Sequence, residues 1–242
     1  MAQADDTPSL LVDYAQQFGR KTVAISLQNK LSGQAIWTVL PANIENVYFS
    51  LGEIASAINR IKTSGLGTLY STEHKRFFFH TPIEKENTKS RASFLAVRAR
   101  NSLNLLDIDS AKRKVVDELI TQFEKTDFEP QLVFGDFNGG NFLCDSKSAK
   151  VNALFDFETI RSDLGIQDEL SGASLMMKPN EYEAFISGYA LALKISPKEF
   201  KSLHANNIFA SAWVRALVAD TSDWRQNALK QLQPLLFDNN RW

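Results

Sequence analysis

Cysteine, histidine and glycine are all scarce in this chain, and each scarcity closes off a class of function. Cys144 is the single cysteine, so no internal disulfide framework exists and a reducing compartment fits. The three histidines, His74, His80 and His204, are scattered without metal-ligand spacing. Only Gly19 precedes Ala24, so no glycine-rich phosphate loop stands near the start. Neither sign of charge dominates: 27 Lys and Arg face 28 Asp and Glu, a net of -1, which argues against an unassisted nucleic-acid binder. No apolar run approaches the roughly 18–20 residues that span a bilayer, so no membrane partner is expected. The acidic opening MAQADDTPSLL lacks the basic-then-apolar layout of a signal peptide. The expected setting is the cytoplasm.

The 242 residues are 44% hydrophobic, enough for an ordinary core in one large domain or two small ones. Residues 1–9 read as a loose leader, Leu10–Tyr14 as a short strand or turn, and the alternating TVAISL (22–27) as a strand. Asn29 to Gly33 reads as a loop. Val47, Leu51, Ile54, Ala55, Ile58 and Ile61 keep helical spacing, which predicts a helix over 47–62 stopped by Gly65 and Gly67. Thr68–Tyr70 and Arg76–His80 are short candidate strands. A helix is expected around Ser93–Leu106 and another behind the capping residue Asp109. Strands are expected at 131–134, 141–144 and 151–155. Past Asp168 the chain reads as helical, with Pro179 and Pro197 at helix starts. Arg91, Arg98, Arg100 and Arg113 fall on the two middle helices, as either an anion-binding face or a solvated one.

The informative stretch is LVFGDFNGGNFLCDSKSAKVNALFDFE, 132–158. Asp136 follows a buried-strand run, where rigid backbone can aim a carboxylate at a substrate hydroxyl and take its proton. Asn141 offers a neutral oxygen ligand and Asp156 a charged one, the kind of pair that Mg²⁺ shares with substrate phosphates. A hairpin of 141–144 with 151–155 brings Asn141 and Asp156 side by side. Asp156 stands between Phe155 and Phe157, where an unpaired carboxylate is costly. Glu158 is either a further metal ligand or an ion-paired surface residue. Cys144 reads as a small buried hydrophobe.

At these residues the sequence resembles the aminoglycoside phosphotransferase and choline kinase family, a branch of the protein-kinase-like fold. The family's H-G-D-x-x-x-x-N loop and downstream I-D-F/W are matched by FGDFNGGN (134–141) and FDFE (155–158). The resemblance implies Asp136 as catalytic base, Asn141 and Asp156 as Mg²⁺ ligands, and ATP or GTP as phosphoryl donor. ISLQNKLSGQAI (25–36) is similar to the hinge strand and its loop, which assigns nucleotide contacts to Leu27, Gln28 and Asn29. SLGEIASAINRIKTSGLG (50–67) is similar to the first long helix of the large lobe. SDLGIQDEL (162–170) resembles the G-D-P-x-x-D-L-A segment with Asp168 at its second Asp, so Asp163 and Asp168 are expected to bond loop backbone. FISGYAL (185–191) resembles a helix near the end of such lobes. The acceptor, a small molecule bearing a hydroxyl, is expected among the variable helices, roughly 85–125 and 165–240.

The expected fold is therefore α+β and mostly helical: the large lobe of a kinase-like phosphotransferase, with short β-hairpins at the site. Residues 1–47 would be a remnant of the nucleotide lobe and hinge, and 48–242 the helical lobe. Two features depart from the family. Phe134 replaces the loop histidine, and the segment ahead of the hinge-like strand is too short for a five-stranded lobe. The primary expectation is phosphoryl transfer, with the rest of the nucleotide site supplied by an upstream segment, a partner or a second copy. That partner would cover apolar surface near Ile25, Leu27 and Phe155. The alternatives are an inactive large-lobe relic that binds a ligand or protein, and a phosphoester enzyme using Asp136, Asp156 and Glu158 as a carboxylate cluster.

Overall fold

A computed structural model of the chain describes residues 10–18, 21–28, 33–39, 43–63, 65–71, 77–80, 87–145, 147–219 and 222–237, with backbone alone at 10–28, 37, 68–71, 77–80, 158 and 222. The expectations for residues 1–9, Asn29 and His74, and for the side chains of Ile25, Leu27, Gln28 and Glu158, lie outside what it describes.

Strand β1 (Leu10–Phe18) pairs antiparallel with β2 (Lys21–Gln28), from Leu10 opposite Gln28 to Phe18 opposite Lys21. The first strand is thus longer than Leu10–Tyr14; the pair of glutamines at 16 and 17 masks its alternation in the sequence. After β3 (Gln34–Ala35) comes helix α1 (Ile44–Asn59), then β4 (Gly67–Ser71) and β5 (Phe77–His80). Helices α2 (Thr88–Asn104) and α3 (Ser110–Lys125) lead to β6 (Gln131–Val133), β7 (Phe142–Cys144), β8 (Val151–Leu154) and β9 (Arg161–Asp163). The chain continues through α4 (Ile166–Met176), α5 (Pro179–Ala192), α6 (Pro197–Val218) and α7 (Ser222–Leu232). The other strands form two antiparallel sheets, ordered β3-β7-β8 and β5-β4-β9-β6. The mostly helical α+β class is as expected.

Local chemistry accounts for most boundaries. Asn87 caps α2 in a reciprocal pair with Ser90, and Asp109 caps α3 by accepting from Lys112 N at 2.8 Å. Pro179 and Pro197 occupy the first turns of α5 and α6, where their missing N–H is no loss. Helix α1 ends at Asn59, well before Gly65, so the glycines do not stop it. Its last residue is turned inward, and the next stretch is drawn into pairing with β6: Leu132 N donates to Ile61 O at 2.9 Å and Lys62 bridges Gln131. Gly67 opens β4 instead.

Two cores result. One is packed by α2, α3, α6 and α7 around Trp213, Phe209 and Ile120; the other joins α1 and α5 to the β7–β8 hairpin around Leu51, Phe142, Phe185 and Tyr189. Helices α1 and α5 meet at glycines. A Cβ on Gly52 would stand 2.0 Å from Phe185 O, and one on Gly188 1.9 Å from Phe49 O. Among the described residues no helix is long and apolar enough to cross a membrane.

Candidate active site

The second core carries the loop that follows β6. Phe134 and Phe137 are buried there with ring centroids 5.0 Å apart, and Phe137 packs on Phe185 at 5.6 Å. Between and beyond these anchored aromatics Asp136 is half-buried, Asn138 is exposed and Asn141 is buried. Phe134 replaces a polar loop residue with packing, and Thr159 Oγ1 donates to its carbonyl at 2.8 Å. Gly135 needs φ +83, and a Cβ there would meet Arg161 Nη1 at 2.3 Å.

Glu169 fixes the same loop from behind. Its carboxylate accepts from Phe134 N at 2.6 Å and Gly135 N at 3.0 Å. Asn59 donates to Glu169 at 3.3 Å and to Leu132 O at 2.8 Å, and Tyr189 Oη donates to Asn59 Oδ1 at 2.9 Å. The network is buried, and burial pushes the Glu169 carboxyl above its ordinary pKa, partly offset by the two loop amides.

This corrects the expectation for Asp168. Among the described residues its carboxylate bonds no loop backbone; it sits between Arg161 and Arg215, 3.0 Å from the latter, while Asp163 takes Arg161 Nε at 2.7 Å and, as expected, a backbone N–H, that of Leu164 at 3.0 Å. Burial alone would raise the Asp168 pKa, but the two guanidinium groups outweigh it and hold the carboxyl below its usual range. The neighbour, Glu169, does the work expected of Asp168. Adjacent helical residues point about 100° apart, so the choice between them turns on which faces β6. The apolar run Leu170, Ala173 marks that buried side of α4 and was the available signal.

Asp136 is half-buried. Its Oδ1 accepts from Asn138 Nδ2 at 2.9 Å, and its carbonyl from Asn141 Nδ2 at 3.1 Å. Asn138 is itself oriented, because its Oδ1 accepts from Gly140 N at 2.7 Å. Neither Asp136 Oδ2 nor Asn141 Oδ1 takes a donor among the described residues. The hairpin closes as the spacing predicts: Phe142 pairs with Leu154, and Phe155 N donates to Asn141 O at 3.0 Å. Asp156 follows at once, exposed, with φ 62 and ψ 60. A non-glycine residue in that region is uncommon, although Asp tolerates it better than most. The structure therefore brings Asp136, Asn141 and Asp156 to one end of the hairpin. Phe155 is half-buried; the exposed aromatic is Phe157, which meets Phe134 edge-on at 5.5 Å. The arginines of the middle helices are separately engaged, Arg100 by Asp117 and Glu124, and Arg113 by the carbonyls of Leu103 and Leu106.

A model of the phosphotransferase enzyme family matches residues 6–194. The chain belongs to that family. Solved structures agree on the kinase-like fold at low identity. The GDP complex of wild-type aminoglycoside 2′-phosphotransferase-IIIa is 12% identical with a TM-score of 0.59, over 95% of this chain and 75% of that one. A thermostable aminoglycoside phosphotransferase APH(4)-Ia mutant, solved with ADP and hygromycin B, is 15% identical with a TM-score of 0.61, over 98% and 78%. A choline kinase from Cryptosporidium parvum Iowa II is 13% identical with a TM-score of 0.50, over 96% and 72%. No curated protein matches the chain.

Proposed function

We propose that this family member transfers the terminal phosphoryl group of ATP or GTP to a hydroxyl of a small molecule. The observation that supports this best is the hairpin that seats Asp156 one residue past the Phe155–Asn141 bond, beside the loop carrying Asp136. Asp136 is the base. Asn138 holds one of its oxygens, and the other is left to accept the proton of the attacking hydroxyl. The network through Glu169 and Asn59 keeps that oxygen in place without reorganisation during the reaction.

Asn141 and Asp156 suit Mg²⁺. The Asn141 amide nitrogen is committed to Asp136 O, which leaves Oδ1 open, and Asp156 is an exposed carboxylate. Among the described residues no group of three or more His, Cys, Asp and Glu could hold a metal by itself. One carboxylate plus one amide fits Mg²⁺ that draws its remaining ligands from nucleotide phosphates and water. Bound there, the ion would supply charge neutralisation on the transferring group. The backbone at 27–29 is the proposed contact for the base of the nucleotide, with residues 1–47 as the nucleotide side and 48–242 as the helical lobe. The proposed setting is the cytoplasm. Exposed Phe157 is the place where a second copy or partner would complete the cleft.

Two of the neighbours were solved with GDP or ADP, and the neighbours' names point to aminoglycosides and choline as acceptors. The test is ADP or GDP release by the full chain with Mg²⁺ and a panel of hydroxyl acceptors. Acceptor-dependent release that falls roughly 100-fold or more in Asp136→Asn supports the reading; release unchanged by that substitution refutes it. A second reading, a lobe that binds without transferring, is favoured by Phe134 in place of the loop histidine. It predicts nucleotide or ligand binding with no release under any acceptor.

A further inference from the structure

A cavity of about 430 Å³ opens between α2, α4, α6, α7 and β9. Its size lies in the usual range for small-molecule sites. Three guanidinium groups, Arg91, Arg161 and Arg215, line it together with two carboxylates, Asp163 and Asp168. The sharing is uneven. Asp168 pairs with both Arg161 and Arg215, and Asp163 pairs closely with Arg161. Among the described residues Arg91 has Asp163 as its one ion-pair partner, at 3.8 Å, and its side chain is 33% exposed. Glu169, the further carboxylate near Arg161, is committed to the amides of Phe134 and Gly135. Arg98 and Arg225 reach the carbonyls of Val218 and Ala219, two residues of the cavity wall, with Asp223 at the start of α7 as the counter-charge close by in sequence.

Two other features point to a ligand. The Ser211 hydroxyl is buried, 4% exposed as a residue, and has no hydrogen-bond partner among the described residues, although Ser211 lines the cavity. A buried hydroxyl without a partner is a cost that a bound acceptor group removes. The remaining wall is apolar, with Leu95, Phe123, Val214 and Trp224. The cavity also adjoins the loop of the candidate active site. Arg161 Nη1 lies so near Gly135 that a Cβ there would be 2.3 Å away, one residue before Asp136.

We propose that this cavity takes an oxyanion of the phosphoryl acceptor, a carboxylate or a phosphate ester, on Arg91 and Ser211, with the acceptor's carbon body against Trp224 and Phe123. An amine-bearing acceptor meets a surface of the wrong sign, because the described lining residues carry one more positive than negative charge. The acceptor role rests on the phosphotransfer reading; the anion site does not.

The two can be tested apart. Gluconate (carboxylate), glucose 6-phosphate (phosphate), glucose (neutral) and glucosamine (cationic) are titrated calorimetrically into the full chain without nucleotide, and ADP release is then measured with Mg²⁺-ATP and each compound. Gluconate or glucose 6-phosphate should bind, more weakly as salt rises. Arg91→Gln should weaken that binding about ten-fold or more, and Arg91→Lys should restore much of it, as loss of a charge-assisted hydrogen bond predicts. Whichever of the two anions binds identifies the source of the oxyanion. Binding of neither anion, binding unaffected by Arg91→Gln, or a preference for glucosamine overturns the inference. Anion binding without ADP release upholds the anion site and removes the acceptor role. ADP release with glucose or glucosamine alone keeps the phosphotransfer reading and removes the acceptor role of the anion, while the calorimetric titration still decides the anion site.

Discussion

Glu169 and Phe134 are joined by a 2.6 Å hydrogen bond from a backbone N–H to a buried carboxylate, across 35 positions of sequence. That bond, with its partner from Gly135, sets where Asp136 stands. Glu169→Gln keeps one oxygen and turns an amide N–H₂ toward a backbone N–H. It should destabilise the fold by about 1–3 kcal/mol, the cost of one buried donor left unpaired. Tyr189→Phe, one step further out, should cost about 1 kcal/mol. Urea unfolding of both variants checks the order; equal effects would show that the network is not centred on Glu169.

Gly188 and Gly52 mark where α1 and α5 approach most closely. A methyl on Gly188 meets the carbonyl of Phe49, which is backbone and cannot swing aside. Gly188→Ala should therefore cost about 1–3 kcal/mol, as overpacking does. Gly65→Ala meets nothing within 4 Å and should leave the melting temperature near wild type. A tolerated Gly188→Ala would mean that the two helices lie further apart.

The Asp168 carboxyl is held below its ordinary value of 3.8 despite burial, by Arg161 and Arg215. Its folded pKa is depressed, so its contribution is present above the unfolded pKa and is lost as pH falls through the folded one. Stability should decline from about pH 4 downward as this group is protonated. Asp168→Asn takes the carboxylate from Arg215 and leaves Arg161 with Asp163 alone, and should cost about 3–5 kcal/mol near neutral pH. It should also flatten that part of the acid profile, which unfolding between about pH 2 and 6 measures directly.

Cys144 is fully buried, and burial pushes its thiol up to about 11. The thiolate is the reactive form. Thiol reagents at about pH 7–8 should label the native chain only as fast as it unfolds, and label the denatured chain at once. Rapid native labelling would place Cys144 at the surface.

The sequence carried more of the candidate site's backbone than of its support. The placement of Asp136, Asn141 and Asp156 near one end of a hairpin was legible because a strand, a tight loop and a hairpin leave a recognisable spacing of polar residues among apolar ones. Helix starts were legible for the same local reason: Asp109, Pro179 and Pro197 act on their own turns. What stayed hidden was tertiary. Asn59 ends α1 because β6 captures the following residues, and no local signal announces that. Glu169 and Asp168 are adjacent acids, and only the orientation of α4 decides which one reaches the loop. Phe155 and Phe157 differ likewise: hairpin closure half-buries the first and leaves the second exposed.

The central claim is that Asn141 and Asp156 meet a magnesium-bound nucleotide beside Asp136. Calorimetric titration of Mg²⁺-ATP and Mg²⁺-GTP into wild type and Asp156→Asn is the most direct test. Asn suits the left-handed backbone at 156 at least as well as Asp, so the variant should melt no lower than wild type. The account predicts metal-dependent nucleotide binding in the wild type, weakened about ten-fold or more in Asp156→Asn, as loss of one charged ligand implies. Nucleotide binding of equal strength in both proteins, or binding indifferent to Mg²⁺, would contradict it.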